Sequence, residues 1–442
     1  MSARAPVGAS NRSDLFGRRS DETKNPEPAP DNLEAMSDDP LQLEHMLGYS
    51  GEFRGIVQML RRDENIYVKS LGPLLAVENL SDPHQQRILR GHDASVSAMA
   101  MSPSGRYMAT GQVGTKSYKG SAAPVFIWDT VTWTHRQVLR GLTTRVNCVD
   151  FSTDEHFVCG CGEDALLYIW EMSSGEVILG QRLSGPASVM RWSGHYQEGR
   201  RVRHELILGV ASSLSLCSLS YDATRVQWAL KITPFSLPPG HGAVVRYFTT
   251  LELLSDEVSV LVGTTAGDMM VYRRDTAVYR SCIPVTGNGC HSLVALPDGD
   301  VLCGGGDGWL KRLSGQNMEW SVVNQVSLDG SITSLSLSPN CLEVIATCTS
   351  GSTYRIAVDS LAEMLCSASH TSSVSCIGFG SSVGYFATGT LSGELRVWDI
   401  GDYGCQAVTR LAKAGAVRGL FVLSGERERE REMRGICRKR QR

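Results

Sequence analysis

The sequence predicts an all-β fold, a β-propeller in which small four-stranded sheets stand radially about an axis. Three observations predict it. Glycine is frequent (45 of 442 residues) and long helical patterns are few, which suits many short strands joined by turns. From about Leu47, short apolar runs recur at a period of roughly forty residues. Several of those units close on Trp-Asp or a remnant of it.

Taken in order, residues 1–46 are rich in Pro, Ser, Asp and Arg and poor in aromatics, so they cannot bury enough apolar area to offset their ordering entropy. They are expected to be disordered. Residues 55–80 supply strands without an entry motif. Units then follow at 89–129, 139–171, 183–219, 240–272, 287–313, 328–358 and 368–399. Each repeats one pattern: Gly-His or its remnant, an alternating strand, a turn, a strand ending Ala-Thr-Gly, a turn, and a closing strand. This is the WD-repeat signature.

Counting residues 55–80 as one blade and the next six units as six, a seven-bladed propeller spans 47–369. Residues 370–424 then form the first blade of an incomplete second propeller, and 425–442 a low-complexity charged tail. The alternating Glu-Arg of 426–432 is what a plain GA dinucleotide repeat encodes, which points to translated intron or a truncated gene model.

The structural residues of such repeats are a His, a Ser or Thr, a turn Asp and a Trp, joined by buried hydrogen bonds. The first full unit offers His92, Thr110, Trp128 and Asp129, its turn Asp displaced by an insertion. The next keeps Asp164 and Trp170 but has Leu142 in place of His. The last offers His370, Thr388, Trp398 and Asp399, with Ser392 where the turn Asp belongs. Packing is therefore expected to rest mainly on apolar residues such as Val146, Phe151, Val374, Ile377, Phe379 and Val397. As a lone second-ring blade, the last unit would leave Val374, Ile377, Phe386, Leu395 and Trp398 uncovered.

No motif here carries catalysis. "GGGDGWLK" (304–311) has Trp309 at the third glycine of a dinucleotide fingerprint, and no helical pattern follows. "GTKS" (114–117) lacks both the spacing and the helix of a phosphate-binding loop. Cys159 and Cys161 share a strand face, but no second pair stands at zinc spacing. The expectation is no enzyme, no cofactor and no metal. A net charge of -3 gives no electrostatic reason to expect nucleic acid or an anionic membrane. Thirteen cysteines, scattered and odd in number, suit a reducing compartment.

"GYSGEF" (48–53), "GQVGTKSYKG…VFIWD" (111–129), "VGTTAGDMMVY" (262–272), "DGSITSLSLSPN" (329–340) and "YFATGTLSGELRVWD" (385–399) occur in the order of one family. Over about Leu47 to Asp399 the chain resembles the family of cilia- and flagella-associated protein 52, also called WD repeat-containing protein 16. The resemblance implies two tandem propellers, residence in motile cilia and flagella, and non-catalytic binding to tubulin of the axonemal doublet microtubule beside other axonemal proteins. It also marks the polar insertion, with Lys116, Tyr118 and Lys119, as a candidate partner-contact loop, and Gly48–Arg54 as a second family feature. The competing readings are a generic cytoplasmic scaffold, such as a substrate receptor of a ubiquitin ligase, and a propeller enzyme.

Overall fold

The computed structural model describes residues 43–49, 51–114, 123–199, 201–237, 244–316, 319–380, 384–410 and 415–420. Every strand described lies in the unit His45–Arg442, and the expectation for residues 1–42 falls outside the described residues. That unit is all β. Thirty-two strands form eight four-stranded antiparallel sheets, each from four consecutive strands. In chain order the sheets span 57–89, 96–139, 146–182, 187–234, 248–284, 290–327, 332–367 and 374–410.

In the first seven sheets the first strand lies innermost. Val96–Met101 adjoins Val146–Phe151, and contacts of the same kind continue through Ala187–Glu198, Phe248–Leu253, Cys290–Ala295 and Ile332–Leu337. Ile332–Leu337 adjoins Val57–Met59, which in turn touches Val96–Met101. Innermost strands therefore face a neighbouring sheet on both sides, and all six residues of Val96–Met101 are buried. The outermost strands, such as Thr134–Leu139, are largely open to solvent and read as polar. Apolar clusters fill the gaps between successive sheets. One joins Ala100 and Ile127 of the second sheet to Val149 and Phe151 of the third; another joins Cys159 and Ile169 of the third to Trp192 and Leu206 of the fourth.

The glycine of the Ala-Thr-Gly signature has a packing cause. A Cβ on Gly111 would stand 2.6 Å from Val146, and one on Gly304 would stand 2.6 Å from Ile332. Each glycine admits the first apolar residue of the next innermost strand. In the third sheet the sizes are exchanged: Cys161 stands at that register position and the incoming residue is Ala187.

The "GYSGEF" stretch closes the circuit from the N-terminal side. Tyr49 is buried, its hydroxyl 3.0 Å from Thr333 Oγ1. Ser369 donates to the carbonyls of Tyr49 (3.0 Å) and Gly351 (2.9 Å). Gly48 lies at φ +107°, and a Cβ there would strike Ser369 at 2.5 Å, so this position requires glycine.

The eighth sheet meets the first at its far turn, where His84 Nε2 is 2.6 Å from the Gly401 carbonyl and the Tyr403 ring stacks on His45 at 4.1 Å. Val374, Ile377, Phe379 and Val397 are exposed, whereas Val146 and Phe151 of the third sheet are buried as expected. Leu395 and Trp398 depart from the expectation and are buried. Trp398 lies between the Phe386 ring, stacked at 6.2 Å, and the Arg396 guanidinium at 6.0 Å.

Candidate functional site

In the second sheet, register brings Thr110 beside both Met99 and Phe126, and its hydroxyl meets two rings. Trp128 Nε1 donates to Thr110 Oγ1 at 2.8 Å, and Thr110 Oγ1 is 2.7 Å from His92 Nε2. Gln112 uses its amide N–H on Asp93 and offers His92 only its Oε1 acceptor, so His92 donates from Nδ1 and, being neutral, accepts from Thr110 at Nε2. His92 therefore carries its proton on Nδ1 and gives it to Gln112 Oε1 at 2.8 Å. The Gln112 amide in turn donates to Asp93 Oδ1 at 2.5 Å. Burial lowers the His92 pKa to about 4, so the ring is neutral at pH 7, as this tautomer demands. Gln112 thus fills the acceptor role of the displaced turn Asp. Asp129 stands outside the chain of bonds: it accepts from the amides of Val131 (2.9 Å) and Thr132 (3.2 Å) and fixes the following turn.

The third sheet solves the same problem without a network. Gly160 occupies the position of Thr110 and packs against Trp170 and Leu142. The Trp170 indole, fully buried, donates to the Arg140 carbonyl at 2.9 Å. Asp164 is not joined to Trp170. It accepts from the Thr143 hydroxyl (3.2 Å) and the Leu166 amide (3.3 Å), and so organises a turn.

The eighth sheet restores the network, with Trp398 Nε1 to Thr388 Oγ1 at 2.7 Å and Thr388 Oγ1 to His370 Nε2 at 2.6 Å. Here Glu394 supplies the acid. Its Oε1 lies 3.3 Å from His370 Nδ1, near but not aligned as a hydrogen bond, and accepts from Arg396 at 2.5 Å. Burial alone would raise the Glu394 carboxyl, but the Arg396 hydrogen bond and charge hold it below its ordinary value. Ser392 pairs with Ser372 (2.7 Å) instead. Asp399 caps the next turn through the Gly401 amide at 2.7 Å.

Around the axis, polar side chains of the innermost strands reach the backbone of the next sheet. Ser97 donates to the Val146 carbonyl (2.8 Å), Asn147 to Ala187 (3.4 Å), Thr249 to Cys290, and Ser334 to Val57 (3.2 Å). His291 Nδ1 is 3.2 Å from the Ile332 carbonyl. Ser375 makes the same bond to Val417, beyond the eighth sheet, and a Cβ on Gly389 would stand 2.7 Å from Val417, as one on Gly111 would from Val146. Charges line the innermost strands as well. Arg191 pairs with Glu252 at 3.2 Å, and Asp150 accepts from the Trp192 amide at 2.8 Å. Burial raises the Asp150 carboxyl. Sequence reading missed this cluster. Its members are engaged with one another or with backbone, and the set contains acids and arginines without a nucleophile. Among the described residues, no group of three His, Cys, Asp or Glu could hold a metal ion.

Lys116, Tyr118 and Lys119 lie outside the described residues. The two bases of their segment are fixed: Val113 donates to the Ser95 carbonyl (2.9 Å), and the fully buried Ala123 donates to Leu142 (3.2 Å). The segment thus departs from the seam between the second and third sheets.

The WD domain, G-beta repeat family matches residues 83–120, 133–171 and 363–399. Those three segments are WD repeats. Cilia- and flagella-associated protein 52 of Chlamydomonas reinhardtii is 26% identical to it over 85% of this chain and 58% of that protein. The Bos taurus and Homo sapiens proteins of that name are each 22% identical over 81% of this chain and 56% of their own length. The chain therefore spans a little over half the length of these relatives. The fold is that of β-propellers: a chain from the mitotic checkpoint complex superposes at TM-score 0.55 with 15% identity, covering 71% of this chain and 94% of that one.

Proposed function

We propose that this chain is a non-catalytic structural WD-repeat protein of motile cilia and flagella, held on the inner wall of axonemal doublet microtubules and in contact with tubulin and neighbouring axonemal proteins. Similarity over 81–85% of the chain to proteins named for cilia and flagella carries this reading. The charges of the inner strands are engaged with one another or with backbone, as in the Arg191–Glu252 pair and the Asp150–Trp192 bond, which favours holding over catalysis. We further propose that the first seven sheets form one ring and that the eighth opens another. The circuit of innermost strands through Val57–Met59 supports the first part. The Ser375–Val417 bond, which repeats the sheet-to-sheet bond of the ring, supports the second. The seam segment with Lys116, Tyr118 and Lys119 is the proposed contact, since rigid sheets hold its two bases.

A tagged copy in a flagellate cell tests the address. The expected result is retention in detergent-extracted axonemes and release only with the doublet walls. A wholly detergent-soluble protein rejects it. Replacing 115–122 by a Gly-Ser linker is then expected to abolish retention while the thermal unfolding midpoint holds; full retention rejects the loop alone.

A further inference from the structure

The fourth and fifth sheets part at their outer ends. Their inner halves are joined by an apolar cluster that includes Val189, Ile207, Phe248 and Val260. The strands of the fourth sheet run on for 8 to 12 residues where those of the second run for 5 or 6. On the extended part the facing side chains turn polar. Register sets Glu205 opposite Ser218 and Ser218 opposite Lys231, with Tyr196 opposite Arg203 one step outward. The Arg274–Asp275 turn of the fifth sheet forms the other wall. Between them lies an open cleft of about 440 Å³.

The charges in this cleft do not balance. Arg203 pairs with Glu205 at 3.2 Å, and Asp275 is taken by Arg273 at 2.5 Å. Arg274 is 92% buried by its 8% exposure, donates to the Ser193 carbonyl and stands over the Tyr196 ring at 5.4 Å. Among the described residues, neither Arg274 nor Lys231 has a carboxylate within ion-pair distance. A buried guanidinium with no carboxylate at ion-pair distance among the described residues gains most from a carboxylate that enters from outside. Hydroxyls of Ser218 and Ser220, with the apolar edge of Leu216, line the floor, a mixture suited to a peptide backbone and its side chains.

We propose that this cleft docks an acidic peptide segment of a partner protein, its carboxylates pairing with Arg274 and Lys231. Docking at this rim site is separate from the ciliary address and from the seam segment, and its test needs neither.

The test is binding of a fluorescein-labelled glutamate-rich peptide to the full chain, read by anisotropy at low salt. Lys231 is exposed on the outermost strand of its sheet, so Lys231→Glu keeps the fold, and Lys231→Gln provides a milder second variant. Affinity is expected to fall about tenfold in Lys231→Glu and less in Lys231→Gln. Arg140→Glu, the same charge change at an exposed residue before the third sheet, is expected to leave it unchanged within about twofold. Wild-type affinity in Lys231→Glu overturns the proposal, and so does an equal loss in Arg140→Glu. Inorganic phosphate that competes at the peptide's own concentration also overturns it, by assigning the cleft to a small anion.

Discussion

The second and eighth sheets carry the same Trp–Thr–His chain, yet their faces differ. Val96, Met99 and Met101 are 1%, 8% and 6% exposed, while Val374, Ile377 and Phe379, at the same register positions, are 54%, 54% and 65% exposed. The network is thus made within one sheet, from its own residues. Burial of the innermost strand is supplied by a neighbour. A repeat can be complete in its signature and incomplete in its packing.

The largest consequence is a contrast between matched positions. Met99→Glu places an unpaired carboxylate between two sheets and is expected to destabilise the fold by about 3–5 kcal/mol, read by chemical denaturation. Ile377→Glu at the matching position is expected to change stability by under about 0.5 kcal/mol and to reduce self-association in sedimentation. Equal destabilisation by the two would mean that the face of Ile377 is covered in solution.

The network supplies the next effect. Thr110→Val keeps the shape but strands the Trp128 N–H and leaves His92 Nε2 without its donor, at a cost of about 2–4 kcal/mol. Thr388→Val breaks the same bonds in a sheet with fewer neighbours. It is expected to raise amide exchange across 374–410 while the main unfolding transition stays in place. A main transition lowered as far as in Thr110→Val would tie the eighth sheet into the cooperative unit of the others.

Acid acts on the same chain of bonds. The His92 pKa falls from 6.5 unfolded to about 4 folded because burial disfavours the imidazolium. Between those values the unfolded state binds the extra proton, so stability is full above pH 6.5 and is lost as pH falls toward 4, by at most about 3 kcal/mol. His92→Leu copies the third sheet and is expected to flatten the melting temperature over that window, at lower stability throughout. An unchanged pH slope in His92→Leu would place the acid sensitivity elsewhere.

The strands, the forty-residue units and the Trp–Thr–His members were legible in the sequence because period-2 patterns and turn residues are local signals. Partners set by register were not. Gln112 lies two residues beyond Thr110 and so shares its face, a clue that alternation alone offered. Glu394 opens the strand that carries Trp398, and nothing in its neighbourhood marked it as buried before the sheet was assembled. The Arg140 carbonyl that satisfies Trp170 is backbone, invisible to any side-chain pattern. The belt of inner-strand donors left a trace, a polar residue at the second position of several innermost strands: Ser97, Asn147, Thr249, His291 and Ser375. Its meaning depended on knowing which strands lie side by side.

The smallest effect separates the sequence pattern from the geometry most sharply. By the repeat pattern Ser392 is the site of the missing turn acid, and Ser392→Asp would complete the network. By geometry the acid is already present, since Glu394 stands 3.3 Å from His370 and is held by Arg396, while Ser392 is bonded to Ser372 and to Thr390 at 3.0 Å. A second carboxylate there would meet a Ser–Ser pair already made and add repulsion with Glu394, weakened by solvent at an exposed turn. Ser392→Asp is therefore expected to leave stability unchanged or lower it by under about 0.5 kcal/mol, and Glu394→Gln to lower it further. Stabilisation by Ser392→Asp of more than about 1 kcal/mol would return the acid role to the turn.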